Sequence, residues 1–170
     1  RTIHRRYVAL VHGYIAPDTG IIDAPLARNS KDRMRMAVSD HPDAKQSVTT
    51  FRVLERFMAG RYDDGYTLVE CKLYTGRTHQ IRVHMNYIKH PVVGDALYGR
   101  NHPKADLGLD RQYLHAYRIA FDHPITGERI DLVDALPEEL AKRLRALMPE
   151  SMGRTEAGDE VLPIVMPPGA

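Results

Sequence analysis

Residues 74–98, YTGRTHQIRVHMNYIKHPVVGDALY, are the stretch from which the rest of the chain is read. Thr75-Gly76 opens it as a turn, a helical segment follows, and His90-Pro91 and Gly94-Asp95 close it. Thr78 is placed to cap the helix through its hydroxyl. Ile81, Met85 and Ile88 recur at helical spacing and make an inward stripe, and Arg82, Asn86 and Lys89 fall on another face. Arg77, His79, Gln80 and Arg82 crowd the first turns, where the backbone dipole is positive and cations gain nothing. So many donors and cations at that end describe a site built to meet an anion.

The chain has 170 residues, 43% hydrophobic and 27% charged, enough for one domain with its own core. A net charge of +2 names no partner. Its distribution says more, with Arg1, Arg5 and Arg6 at the start and Arg28, Lys31, Arg33 and Arg35 in a second cluster. Cys71 is the single cysteine, so no internal disulfide forms, and its apolar strand context reads as a small buried hydrophobe. A reducing cytoplasm is the expected compartment. No apolar run approaches the ~18 residues of a membrane span, so no membrane partner is expected. RRYVALVHG reads as an interior strand within a few residues of Arg1, which predicts a piece of a longer polypeptide. The oligomeric state is left open.

Arg6 to Gly13 is a nearly continuous apolar run and predicts a central strand covered on both faces. Tyr7, at its start, reads either as a core tyrosine with its hydroxyl satisfied at an edge or as part of a site. Gly20 to Ala27 is extended and broken by Pro25. Met34, Met36 and Val38 alternate with Arg33, Arg35 and Ala37, which predicts a hairpin arm with one apolar and one basic face. Asp40-His41-Pro42-Asp43 is its tip or the loop after it. Such an arm either stands in water or lies along a phosphate backbone. Ser47–Glu55, Tyr66–Tyr74, Tyr113–Phe121 and Glu128–Leu132 are further strands, and Thr67, Val69, Cys71 and Leu73 share one face. Pro137-Glu138-Glu139 begins a helix packed through Leu140, Leu144 and Leu147. The fold class is α+β: a mixed, largely antiparallel sheet with a central helix after the GRTHQ turn and a C-terminal helix. Residues 1–148 form the domain and 149–170 a flexible tail, of which Val161, Ile164 and Val165 are the residues able to dock.

The nine histidines do not describe a metal site: His79 and His84 lie five apart rather than four, and no CxxC accompanies them. His90 is a structural hydrogen-bonding group at the helix end. No G-x-S-x-G elbow and no Gly-rich phosphate loop is present, and Asp95 reads as an Asx-turn residue. A cationic helix start, a tyrosine at a strand start and a basic arm suit a large, anionic, partly aromatic ligand. RNA with a displaced base fits that description.

TGRTHQIRVHM followed by HPVVGDALYG, with RRYVALVHG upstream and YLHAYRIAFDHPITGE downstream, resembles the RNA pseudouridine synthases that modify ribosomal large-subunit RNA and some tRNA. The resemblance covers roughly residues 3 to 148. It implies isomerisation of uridine to pseudouridine, replacing the N1–C1′ bond with C5–C1′ and requiring no metal or organic cofactor. It implies that Tyr7 stacks on the base and assists removal of the C5 proton. Arg82 would pair with the nucleophilic aspartate, and Val83 would pack against the base. Arg77, His79 and Gln80 would shape the turn or touch phosphate; on the reading of the arm given above, Arg28, Arg33 and Arg35 would follow the RNA backbone. Replacing Arg82 is then expected to abolish activity while sparing the fold. The family's nucleophile lies in an HRLDxxTSG-like segment, which is absent here; Leu109-Asp110-Arg111 falls in the wrong order. The chain therefore resembles the C-terminal part of a catalytic domain, inactive alone. The competing reading is a non-catalytic RNA-binding module of the same fold.

Overall fold

The computed structural model describes residues 3–99 and 102–167; Arg1, counted above in the first basic cluster, lies outside them. Strand β1 (His4–His12) runs through the middle of the sheet because Val8, Ala9, Leu10 and Val11 are apolar and fully buried on both faces. It pairs with β6 (Tyr66–Leu73) on one side and β7 (Leu114–Asp122) on the other. Beyond these lie β5 (Val48–Phe57) and β2 (Thr19–Asp23) at one end and β8 (Arg129–Val133) at the other, in the order β2-β5-β6-β1-β7-β8. Every pairing is antiparallel. The expected α+β class holds, and the sheet is antiparallel throughout rather than mixed.

Strand register sorts the side chains onto two faces. Phe51, Cys71 and Tyr7 are direct cross-strand partners, so they stand in one row. The flanking row holds Thr50, Lys72, Arg6 and Arg118 on the opposite face. Helix α1 (Gln80–Tyr87) covers the first face, seating Ile81 and Met85 in the main core. On the second face, α2 (Glu138–Leu147) buries Leu140, Leu144 and Leu147. The same face carries the buried Glu70, which accepts hydrogen bonds from Tyr117 and from Arg52 Nε at 2.8 Å.

The arm is a separate two-stranded ribbon, β3 (Leu26–Arg28) with β4 (Met36–Val38). It is shorter than the alternation predicted. Arg33, Met34 and Arg35 lie in the turn between the strands, and Asp40–Asp43 follow the ribbon instead of forming its tip. The Asn29 side chain explains the turn: its Oδ1 accepts the N–H groups of Lys31 and Asp32 at 2.8 and 3.2 Å.

Residues 149–167 depart most from expectation. After a short 3₁₀ turn (Met148–Glu150), β9 (Ser151–Arg154) pairs with β5, and α3 (Glu156–Val165) lies on the sheet. Thr155 caps α3 by accepting the Gly158 N–H at 3.0 Å. Gly158 allows the close approach, since a Cβ there would stand 2.1 Å from the Leu54 carbonyl oxygen. Val161, Leu162 and Val165 are each 1% exposed within the same core as the sheet. Polar composition suggested a loose tail, yet three apolar side chains at helical spacing find a partner face. Among the described residues no helix is long and apolar enough to cross a membrane. Leu162→Ala is expected to cost about 2–5 kcal/mol in urea unfolding of the chain, where a loose tail would cost nothing.

Candidate active site

Helix α1 is fixed at its start by an amide rather than by a hydroxyl cap. Thr78 does not cap it; the N-cap position is His79, in the left-handed region at φ 56°, and no side chain accepts there. Gln80, 2% exposed, does the anchoring. Its Oε1 accepts from Thr75 Oγ1 at 2.7 Å and from the Arg77 N–H at 3.0 Å. Its Nε2 donates to the Val48 carbonyl and to Thr49 Oγ1, both at 3.0 Å. With all four partners supplied by protein, Gln80 shapes the turn. His84 continues the chain inward, its Nδ1 2.8 Å from Thr49 Oγ1 and its Nε2 2.9 Å from the Ala24 carbonyl. A carbonyl only accepts, so His84 Nε2 carries the proton and Nδ1 accepts from Thr49. Burial pushes the His84 pKa down and keeps the ring neutral. At the helix end His90 Nδ1 lies 2.8 Å from the His12 carbonyl, the structural role foreseen for it.

Arg82 does not reach into solvent. Its Nε and Nη2 donate to the two oxygens of Asp95 at 2.7 and 2.8 Å, a side-on bidentate pair. The chain itself therefore supplies the carboxylate that Arg82 was expected to find elsewhere. Asp95 is fully buried, and its Oδ1 also accepts the Leu97 and Tyr98 N–H groups at 3.0 Å, which makes it the anticipated Asx-turn residue as well. Burial opposes the Asp95 charge, but Arg82 and those two amides outweigh it and hold the carboxyl below its ordinary pKa. The Asp95 hydrogen bond in turn raises Arg82 against the cost of burial. The guanidinium also lies over the Tyr98 ring, 5.2 Å from its centre. Among the described residues no hydrogen bond engages Arg82 Nη1, which leaves that nitrogen for a ligand. Neither Asp95 as the partner of Arg82 nor Tyr98 was visible in the sequence. Thirteen residues and a turn separate the ion pair, and no periodicity marks such a distance.

Tyr7 stands on the face that α1 covers and lines a cavity of about 250 Å³ with Arg5, Ala116, Ile119, Leu132 and Val133 among its walls. Arg82 is not one of those walls, so the two residues the sequence joined do not share this cavity. Among the described residues no hydrogen bond engages the Tyr7 hydroxyl. The buried tyrosines differ: Tyr66, Tyr98, Tyr113 and Tyr117 all have theirs engaged. Val83, expected against a base, is 5% exposed and packs with Leu26 and Tyr98 at the foot of the arm. Arg77 is exposed, and its Nε donates to the Gln46 carbonyl at 3.0 Å. Arg28 and Arg33 border a concavity of about 820 Å³ along the arm, together with Lys31, His41 and Lys45. Arg35 is absent from that lining and pairs with Asp32 at 3.2 Å. Among the described residues no group of three or more His, Cys, Asp or Glu is placed to hold a metal ion.

Two outcomes follow from this geometry. Arg82→Ala strands a buried carboxylate, so it is expected to lower unfolding free energy by about 3–5 kcal/mol, contrary to the expectation of a spared fold. Urea melts of Arg82→Ala and Asp95→Ala measure it. His84 has a folded pKa below its ordinary value of 6.5, so the unfolded chain binds the proton more readily. Its contribution is complete above that value and is lost as pH falls below it; His79, lowered by burial and by Arg82, adds the same sign. The urea midpoint should fall between pH 7 and about 5, and His84→Asn should flatten that fall.

A family model described as RNA pseudouridylate synthase matches residues 1–87, just over half of the 170 residues. The chain is 48% identical over 147 residues to "Uncharacterized RNA pseudouridine synthase YlyB" of Bacillus subtilis, covering 86% of this chain and 45% of that protein. It is 43% identical over 166 residues to "Ribosomal large subunit pseudouridine synthase D" of Xanthomonas campestris, covering 92% of this chain and 47% of that one. It thus spans about half the length of these curated relatives. The solved structure of human RNA Pseudouridylate Synthase Domain Containing 1 superposes with a TM-score of 0.75 at 28% identity, covering 94% of this chain and 64% of that one. With the family model covering more than half of its residues and the overall fold superposing on a solved member, the chain belongs to the RNA pseudouridylate synthase family.

Proposed function

We propose that this chain supplies a tyrosine wall, a helix-borne arginine and a basic arm to a site that isomerises uridine to pseudouridine in RNA. Tyr7 carries the reading. It is a partly buried tyrosine beside a cavity, with a hydroxyl that no described group engages, in a fold that satisfies the hydroxyls of its buried tyrosines. Such a ring offers a stacking face for a flipped base and an oxygen for the C5 proton. The reaction conserves atoms: N1–C1′ breaks, C5–C1′ forms, and the proton leaves C5 while N1 gains one. Arg82 presents Nη1 to the nucleophilic carboxylate, and Arg28 and Arg33 border a concavity where phosphate oxygens fit. The names of the relatives support ribosomal large-subunit RNA as the substrate, and cytoplasm as the compartment.

The nucleophile, on this reading, is not among these residues. Both fully or nearly buried aspartates are committed to structure: Asp95 to Arg82 and two turn amides, and Asp106 to His12 at 2.8 Å and the amides of Gly94 and His102. The same observation favours the second reading, an RNA-binding module without turnover. Carbodiimide mapping of pseudouridine in large-subunit RNA separates the two. The 170-residue chain alone should leave no new stops, whereas a polypeptide joining it to an aspartate-bearing family segment should turn over. In that polypeptide Tyr7→Phe should lower kcat about 10²–10⁴-fold with an unchanged melt. Turnover by the chain alone would reject the missing-nucleophile assignment; a joined polypeptide that binds RNA without turnover would favour the module.

A further inference from the structure

Tyr98 has its hydroxyl between two groups from different parts of the fold. The Met36 N–H, on strand β4 of the arm, donates to it at 2.8 Å, and His79 Nδ1 lies 2.9 Å from it. Tyr98 is 7% exposed and both contacts are part-buried, so its hydroxyl relies on these two partners more than on water. A backbone N–H only donates, so the phenol oxygen is the acceptor for Met36. The hydroxyl proton then has one described acceptor, His79 Nδ1. The reverse assignment, with the imidazole donating, would leave the phenol proton buried without a partner. Nδ1 is therefore bare, and the proton of the neutral ring sits on Nε2.

Further observations agree with this assignment. Arg82 lies over the Tyr98 ring at 5.2 Å, and a cation there makes the phenol a stronger donor. The His79 ring meets Tyr98 edge-on, with centres 5.6 Å apart. His79 is held in the left-handed backbone region at φ 56°, where a residue other than glycine is strained and persists only when its surroundings fix it. Burial, Arg82 and Arg28 disfavour the charged imidazole, and Asp95 alone opposes them.

We propose that Tyr98 is a positioning residue: it fixes His79 as a neutral donor presenting Nε2–H to the RNA, and it latches the basic arm beside that donor. The latch places Arg28 and Arg33 at a set distance from the start of α1, so that base-side and phosphate-side contacts are offered together. The RNA in this statement rests on the function proposed above, while the latch rests on the hydrogen bonds alone.

The tautomer is read directly by two-bond ¹H–¹⁵N correlation spectra of the labelled 170-residue chain. In the unmodified chain His79 Nδ1 should resonate as a bare nitrogen and Nε2 as a protonated one near neutral pH. In Tyr98→Phe, which keeps the ring and loses only the hydroxyl, the Nδ1–H tautomer should gain population. The Met36 amide should exchange with deuterium at least tenfold faster. Fluorescence anisotropy with a large-subunit RNA fragment should show about tenfold weaker binding for Tyr98→Phe. A protonated Nδ1 in the unmodified chain overturns the proposal whether or not the variant folds. So does a variant with unaltered tautomer and Met36 exchange, or one that binds RNA as tightly as the parent. If the spectra behave as expected but neither protein binds RNA, the proposed function fails, and with it the role of Nε2–H; the latch stands.

Discussion

Asp95 is buried, and a buried carboxylate has to be met by charge and by hydrogen bonds or it will not stay ionised. Arg82 meets it side-on, and the amides of Leu97 and Tyr98 complete it. That one pair ties the first turn of α1 to the turn that follows the helix, and the rest of the site hangs from this tie. The turn delivers Tyr98 to the foot of the arm, where it packs with Val83 and Leu26. Gly94 makes the turn possible: at φ +76°, a Cβ there would stand 2.1 Å from the Arg111 carbonyl oxygen. Remove the ion pair and α1, the turn and the arm lose their common reference.

Around the pair the structure handles histidine as a neutral, directional group. The chain Gln80–Thr49–His84–Ala24 runs donor to acceptor from the helix start to the link between β2 and β3, with each proton assigned by the next acceptor. Such a chain polarises along its length and fixes orientation without burying a charge. The cationic character at the head of α1 is thus smaller than its residue types suggest. Gln80 is spent on two backbone groups and two threonine hydroxyls, and burial and the neighbouring arginines disfavour charge on His79. Arg82 is neutralised on one side by Asp95. What remains for a ligand is a few specific donors rather than a diffuse positive field.

The two faces of the sheet divide the labour. The face bearing Tyr7 and α1 holds the candidate site, and the opposite face is covered by α2 and α3, which bury Leu140, Leu144, Val161 and Leu162. Pairing of β9 with β5 also covers part of a strand edge that would otherwise be open. The C-terminal residues are a structural support of the same core.

Much of this was legible in the residues themselves. Apolar runs located β1, β5, β6, β7 and β8, and helical spacing located α1 and α2. The GRTHQIRVH and HPVVGDALYG motifs gave the family. These are local properties: periodicity of burial and the residue types a turn requires act within a few positions of one another. The tertiary structure decided which donor met which acceptor. It paired Arg82 with Asp95, used Gln80 instead of Thr78 to start the helix, and set Tyr98 between His79 and the arm. It also gave the polar C-terminal segment an apolar face to dock on. None of these could be read along the chain, because a hydrogen bond or an ion pair depends on distance and direction in space. Those are fixed only when elements distant in sequence pack together and exclude water.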